Sequence, residues 1–276
     1  MHSSILVFRN FFYLKLSTIL VAVALLAFLL HEPLGKPNGG TWLGYTLGGI
    51  SLLIILFLTW YGIRKRRYGK GKLLLEDWAS AHVYLGIALL ILVTLHSGFQ
   101  FGINIHTLAY ALMVLVISSG MFGLYTYLRY PKLRTKNRGE ATVGDVWELV
   151  AGMSSECLAI ALDLDDQVYK LVENADKNTR LGGSLWLQLS GSDPKCASTH
   201  ALNQISEIAK SYTDEKADNA RKLVSIMARK VELLGRIRKD IQYKAVMDFW
   251  LFFHVPLTVS LLVALFIHIF VVFFYW

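Results

Sequence analysis

"HVYLGIALLILVTLH", His82 to His96, decides how this chain is read: thirteen uncharged residues separate two histidines. The stretch "HVPLTVSLLVALFIH", His254 to His268, repeats the arrangement at the same spacing. Crossing a bilayer takes roughly 20 mostly apolar residues of helix. An ionisable side chain inside such a segment is costly, so it marks function by default. Two segments with histidines fourteen apart therefore call for a common explanation.

Helix geometry supplies one. At about 100° per residue, fourteen steps return to within about 40° of the starting direction. His82 and His96 share a face of one helix, and His254 and His268 share a face of another. At about 1.5 Å per residue, the members of each pair lie roughly 21 Å apart along the axis.

The rest of the chain sets the direction of these helices. Its 276 residues are 54% hydrophobic and carry a formal charge of +8, and the mean hydropathy is +0.45. Five segments read as spans, approximately Phe11 to Leu30, Trp42 to Ile63, Ala79 to Phe99, Ile103 to Leu128 and Phe249 to Tyr275. The first is too long, and too poor in small residues at a cleavage position, to read as a removed signal peptide. "RKRRYGKGK" follows the second span and "RYPKLRTKNR" the fourth, whereas "HEPLGKPNGG" and "QFGIN" on the opposite side are nearly free of Lys and Arg. The positive-inside rule then puts the N-terminus in the cytoplasm and the C-terminus in the periplasm of a bacterial inner membrane. Tyr and Trp at the span ends, such as Trp42, Trp78, Tyr127, Trp250 and Tyr275, fit an interfacial belt. The positive charge is accounted for by topology, and nothing in the sequence reads as a nucleic-acid-binding signature.

The expected fold is an all-α integral membrane protein. Residues 1–130 hold four spans, 131–246 form a helical cytoplasmic insertion, and 247–276 form the fifth span. Within the insertion, "VGDVWELVAGMSSECLAIALDLDDQVYKLVENA" reads as an amphipathic helix with a potential break. The segment from His200 to Val246 reads as one or two more, giving a small helical hairpin. It carries no phosphate loop, dinucleotide fingerprint or paired-carboxylate motif. In its last helix, Val231, Leu234, Ile237 and Ile241 form an apolar stripe among Arg229, Lys230, Arg236, Arg238 and Lys239. That stripe suits either another subunit or the hairpin's own partner helix, and the basic rim suits anionic lipid. Cys157 and Cys196 lie far apart, with no CxxC or CxxCH, which argues against a zinc ribbon, an iron–sulfur cluster or a covalent haem and reads as two free thiols.

The third and fifth spans both run from inside to outside. His82 and His254 then share an inner level, and His96 and His268 an outer level. Two facing imidazoles at each of two levels are the pattern of bis-histidine ligation of two noncovalent b-type haems, which favours electron transfer over oxygen binding. The competing use of these residues is packing or proton relay. Gly86, one turn after His82, and Gly98 leave room for a macrocycle. Gly120 and Gly123 suit either that or close helix packing. Pro256 is expected to start or bend the fifth helix. His106 and His31, at the outer ends of spans, are candidates for a propionate or a quinone headgroup, and His106 is an alternative ligand to His96. Arg64, Arg66, Arg67 and Arg129 at the inner rim are candidates for propionate pairing, alongside their role as topology determinants. His106, Tyr110 and Trp42 outline a candidate quinone pocket. His2 and His200 lie in polar segments and receive no role.

Two histidines on each of two parallel spans, with one span between, resemble the membrane di-haem cytochromes b. The pattern resembles cytochrome b of the quinol-oxidising bc complexes and the transmembrane domain of ferric reductases and NADPH oxidases, whose third span "HVYLGIALLILVTLH" looks like. The resemblance covers about half the chain. It implies a haem-bearing four-helix bundle from the second to fifth spans, with the first span added. The chain departs from both groups: no flavin or nicotinamide domain follows "FFYW", no "PEWY"-like motif occurs, and the insertion matches neither. The resulting expectation is a relay subunit of a larger redox complex without catalytic chemistry of its own. It would pass electrons between a quinone or cytoplasmic donor and a periplasmic c-type cytochrome or iron–sulfur protein. A membrane scaffold or a proton- or metal-transport subunit using the histidines is the alternative.

Overall fold

A computed structural model describes residues 5–66, 74–138 and 142–275. All regular structure among them is helical: α1 Phe8–Leu29, α2 Trp42–Arg66, α3 Leu75–His96, α4 Ile105–Arg138, α5 Val143–Leu162, α6 Asp166–Asn178, α7 Leu185–Ser190, α8 Ala197–Ile208 and α9 Asp214–Phe274. Five helices are long and apolar enough to cross a membrane: α1 with the short turn before it, α2, α3, α4 and α9.

The chain forms two units, Met1–Tyr125 with Trp250–Trp276, and Thr126–Phe249. The first unit has one core to which all five of these helices contribute: Ala24 of α1, Leu43, Leu47, Ile54 and Ile55 of α2, Leu89, Leu92 and Leu95 of α3, Met113 of α4, and Leu261 of α9. The addition of α1 is anchored by polar contacts as well. Tyr84 donates its hydroxyl to the Leu6 carbonyl at 2.8 Å, and Arg9 pairs with Asp77 at 3.0 Å.

The second unit is more than the hairpin the sequence suggests. The long amphipathic stretch breaks at Asp163–Asp165 into α5 and α6; the Asp165 carboxylate there accepts hydrogen bonds from Tyr212 and Lys216 near the start of α9. One core joins Cys157 and Ile160 of α5, Val168 and Val172 of α6, Ile205 of α8, and Leu223 and Met227 of α9. A second packs Leu234 and Ile237 of α9 against Val146 and Val150 of α5. The apolar stripe is therefore used inside the unit, on its partner helix.

Sequence-expected edges at 131 and 246 fall within α4 and α9, and no helix ends at either. "YKAVMDFWLFF" contains no Gly or Pro to stop a helix. Pro256, expected to start or bend the fifth span, lies deep inside α9, and Pro131 lies inside α4. Cys157 and Cys196 are both free and buried.

Candidate functional site

At one end of the first unit three imidazoles converge. His96 is the last residue of α3, His106 is in the first turn of α4, and His268 is near the end of α9. The ring centres of His96 and His268 are 6.2 Å apart, with the planes at 75°. Those of His106 and His268 are 4.6 Å apart, at 88°. His96 Nδ1 lies 2.7 Å from the Gly44 carbonyl. A carbonyl only accepts, so Nδ1 carries the proton and the neutral ring keeps its lone pair on Nε2. His268 Nδ1 lies 2.5 Å from His106 Nδ1. Glycines shape this end: a Cβ at Gly48 would stand 2.8 Å from His96 Cε1, and one at Gly39 would stand 3.3 Å away.

About 21 Å along the helices lies the other pair, of which His254 is tied in the same way. His254 Nδ1 lies 3.2 Å from Ser119 Oγ, and Trp250, one turn earlier, donates Nε1–H to the Ser119 carbonyl at 2.8 Å. The Trp250 indole occupies the space that a side chain at Gly123 would need. His82 and His254 are close enough to interact electrostatically, and the Leu58 carbonyl lies near the His82 ring. His82 Nδ1 is buried without a well-formed hydrogen bond; Tyr61 lies 5.1 Å from its ring centre. A Cβ at Gly86 would meet only Leu58, at 3.9 Å, and one at Gly120 would meet His254 Cε1 at 3.6 Å. All four imidazoles are half-buried. His96, His254 and His268 have Nδ1 engaged, with no hydrogen bond to their Nε2 atoms among the described residues, whereas His82 Nδ1 is buried and unpartnered.

The remaining sequence candidates fall elsewhere. Gly98 adopts a left-handed φ of +58° just beyond α3, with the Pro37 and Asn38 backbone close above it. It ends the helix and admits the preceding loop, since a Cβ there has no room. His31 meets Trp42 edge-on at 5.2 Å, with its Nε2 buried and unpartnered. Tyr110 shares a hydrogen bond with Thr94 at 3.0 Å and stands 4.8 Å from the Phe101 ring. The expected quinone trio thus has each member engaged with a different neighbour. Arg64 is half-buried near the end of α2, and Arg129 is exposed in α4 within the second unit. Arg66 ends α2, and Arg67 lies outside the described residues.

One cluster escaped the sequence reading. Asp77, in the first turn of α3, is 1% exposed. Arg9 reaches both of its carboxylate oxygens at 3.0 Å, and Tyr13 donates to it at 3.1 Å. The signal was the acid itself, five residues before His82 at the start of an apolar helix. Gly44 and Gly48, four apart on α2, were likewise legible as a small-residue face that lets α3 approach.

Among the described residues, no three His, Cys, Asp or Glu side chains stand together as a cage for one metal ion. The fold and site define an all-helical chain with five helices suited to a membrane and imidazoles paired at two levels within them. No protein family, no curated protein and no solved structure matches the chain.

Proposed function

We propose that this chain is a di-haem b-type cytochrome subunit that relays electrons across a bacterial inner membrane within a larger redox complex. His96 and His268 would hold the outer haem, and His82 and His254 the inner one. The single observation that carries this reading is the shared disposition of His96, His254 and His268, with Nδ1 engaged by the protein and Nε2 left unused, beside His82 in the inner pair. Two rings sharing one metal through bonds of about 2 Å have centres about 6 Å apart, which the 6.2 Å between His96 and His268 matches. The glycine cradle at Gly39 and Gly48 fixes the His96 ring, and the Gly44 carbonyl and Ser119 hydroxyl orient the ligands from behind.

When bound, haem iron supplies one-electron chemistry, and bis-imidazole ligation leaves no open position for oxygen. The chain contributes placement and environment. Leu89, Leu92, Met113 and Leu261 form an apolar core between the two levels. The Trp250–Ser119 bond ties α9 to α4 at the level of His254. The basic segments after α2 and α4 support a cytoplasmic N-terminus and a periplasmic C-terminus. Quinone or a cytoplasmic donor would meet one end, and a periplasmic c-type cytochrome or iron–sulfur protein the other. The rival proton-relay reading would favour a free carboxyl near the histidines, but Asp77 is already paired with Arg9.

The test is a reduced-minus-oxidised spectrum with a pyridine haemochrome assay on the purified chain. The expected result is two haem b per chain, extractable by acid acetone. A chain purified from haem-replete cells with none, or with covalently retained haem, overturns the reading.

A further inference from the structure

We infer that His106 is a positioning residue for His268, holding that imidazole by Nδ1 so that Nε2 faces the outer haem; the inference rests on the di-haem reading. The proton count fixes the direction of the hydrogen bond. A neutral imidazole that gives its Nε2 lone pair to a metal carries its only proton on Nδ1. His268 Nδ1 therefore donates, and His106 Nδ1, 2.5 Å away, accepts. His106 must then carry its own proton on Nε2. The contact is made through His268 Nδ1 with the ring planes at 88°, which leaves Nε2, the other nitrogen, free of His106.

His106 is itself held in place. Asn104 caps α4, its side-chain oxygen accepting from the Thr107 N–H at 3.0 Å, and the Thr107 hydroxyl accepts from the Gly102 N–H at 3.1 Å. Gln100 ties the same loop to the Pro37 carbonyl at 3.1 Å. A residue in the first turn of a capped helix has a fixed direction, so the acceptor it offers is fixed too. The two outer ligands thus have different supports: His96 leans on the Gly44 carbonyl, a backbone group, and His268 leans on a side chain. A hydrogen-bonded acceptor behind a ligating imidazole orients the ring and strengthens it as an electron donor. Of the two supports, only the one behind His268 can be removed by substitution.

The experiment is a redox titration of the purified full-length chain, followed by difference spectra and low-temperature EPR. His106→Phe removes the acceptor, and His106→Gln supplies an amide oxygen in its place. The outer centre is identified as the one missing from His96→Ala. In His106→Phe the outer midpoint is expected to move positive, because a weaker donor stabilises the ferric state less, and its low-spin EPR signal is expected to change. The inner midpoint stays where it was, and His106→Gln recovers most of the shift. Loss of the outer haem in the Phe variant with retention in the Gln variant supports the same role. Unchanged midpoints with both haems present overturn the inference. Loss of the outer haem in both variants also overturns it, since His106 would then be a ligand. A wild-type chain without haem is a separate result and removes the di-haem reading itself.

Discussion

The unit of Met1–Tyr125 and Trp250–Trp276 shows Leu26, Val263 and Phe266 to its surroundings, with Phe266 72% exposed, while its imidazoles turn inward. The Thr126–Phe249 unit does the reverse. It buries Val168, Leu223 and Met227 completely and carries pairs such as Lys177–Glu173 and Arg236–Glu232 on its exterior. The two solvents account for the inversion. Water gains nothing from an exposed leucine, whereas hydrocarbon penalises any polar group without a partner. In the first unit each interior polar group therefore requires a reason, which is why four imidazoles there carry more information than the 36 charged residues of the second.

The sharpest break of this comparison comes from the four histidines proposed as haem ligands. His82→Ala or His254→Ala should each abolish one haem, about half the pyridine haemochrome signal, and their combination should lose no more. His96→Ala and His268→Ala should behave likewise for the other haem. Far-UV circular dichroism of the second unit's helices should hardly change. If His82→Ala and His254→Ala instead together removed both haems, the pairing by level would fail.

Glycine substitutions should give the next largest effect. Gly48→Ala places a Cβ 2.8 Å from the His96 ring, whereas Gly49→Ala meets nothing within 4 Å. The first should displace His96 and weaken outer-haem retention, with a cost of about 1–3 kcal/mol for overpacking. The second should be near neutral. Haem content and thermal denaturation of both variants would distinguish a ring cradle from generic helix packing.

In the second unit, Asp176→Ala leaves the Lys230 ammonium, 3% exposed, without its carboxylate partner at 3.1 Å. The expected loss is about 1–2 kcal/mol, reduced from that of a fully buried pair because Asp176 is partly exposed. Burial pushes the Asp176 carboxyl up, but hydrogen bonds from Ser154 and Lys230 outweigh it and hold the group below its ordinary value. Its contribution is thus complete above the unfolded value of about 4 and is lost as pH falls through the lower folded one. Acid titration of helix unfolding should show this step in the wild type and lack it in the variant, while the haem spectra stay the same.

The smallest perturbation tests orientation. Cys157 and Cys196 are buried, and burial pushes the Cys157 thiol up to about 11, so neither serves as a surface label. Trp186 is 80% exposed. Trp186→Cys should be labelled by a membrane-impermeant reagent in inside-out vesicles and protected in intact spheroplasts. The opposite result would reverse the topology.

Much of this was legible one residue at a time. Hydropathy marks the spans because each must supply its own apolar length, and a fourteen-residue step keeps two histidines on one face of any helix. Asp77 and Gly98 show where that reading ran out. An acid at a helix start looks like a first-turn charge until Arg9, 68 positions earlier, is brought onto it. A glycine near a ligand looks like clearance until the Pro37 backbone is found above it. His106 was a headgroup candidate by sequence, and only the approach of α9 to α4 set its Nδ1 against His268. By itself the sequence determined the number and polarity of the membrane-length helices and the common face of each histidine pair, because those are properties of one segment and its solvent. The tertiary structure alone decided which nitrogen each imidazole shows and which neighbour supports it. Those depend on groups 52 to 162 residues apart, whose contact no local pattern encodes.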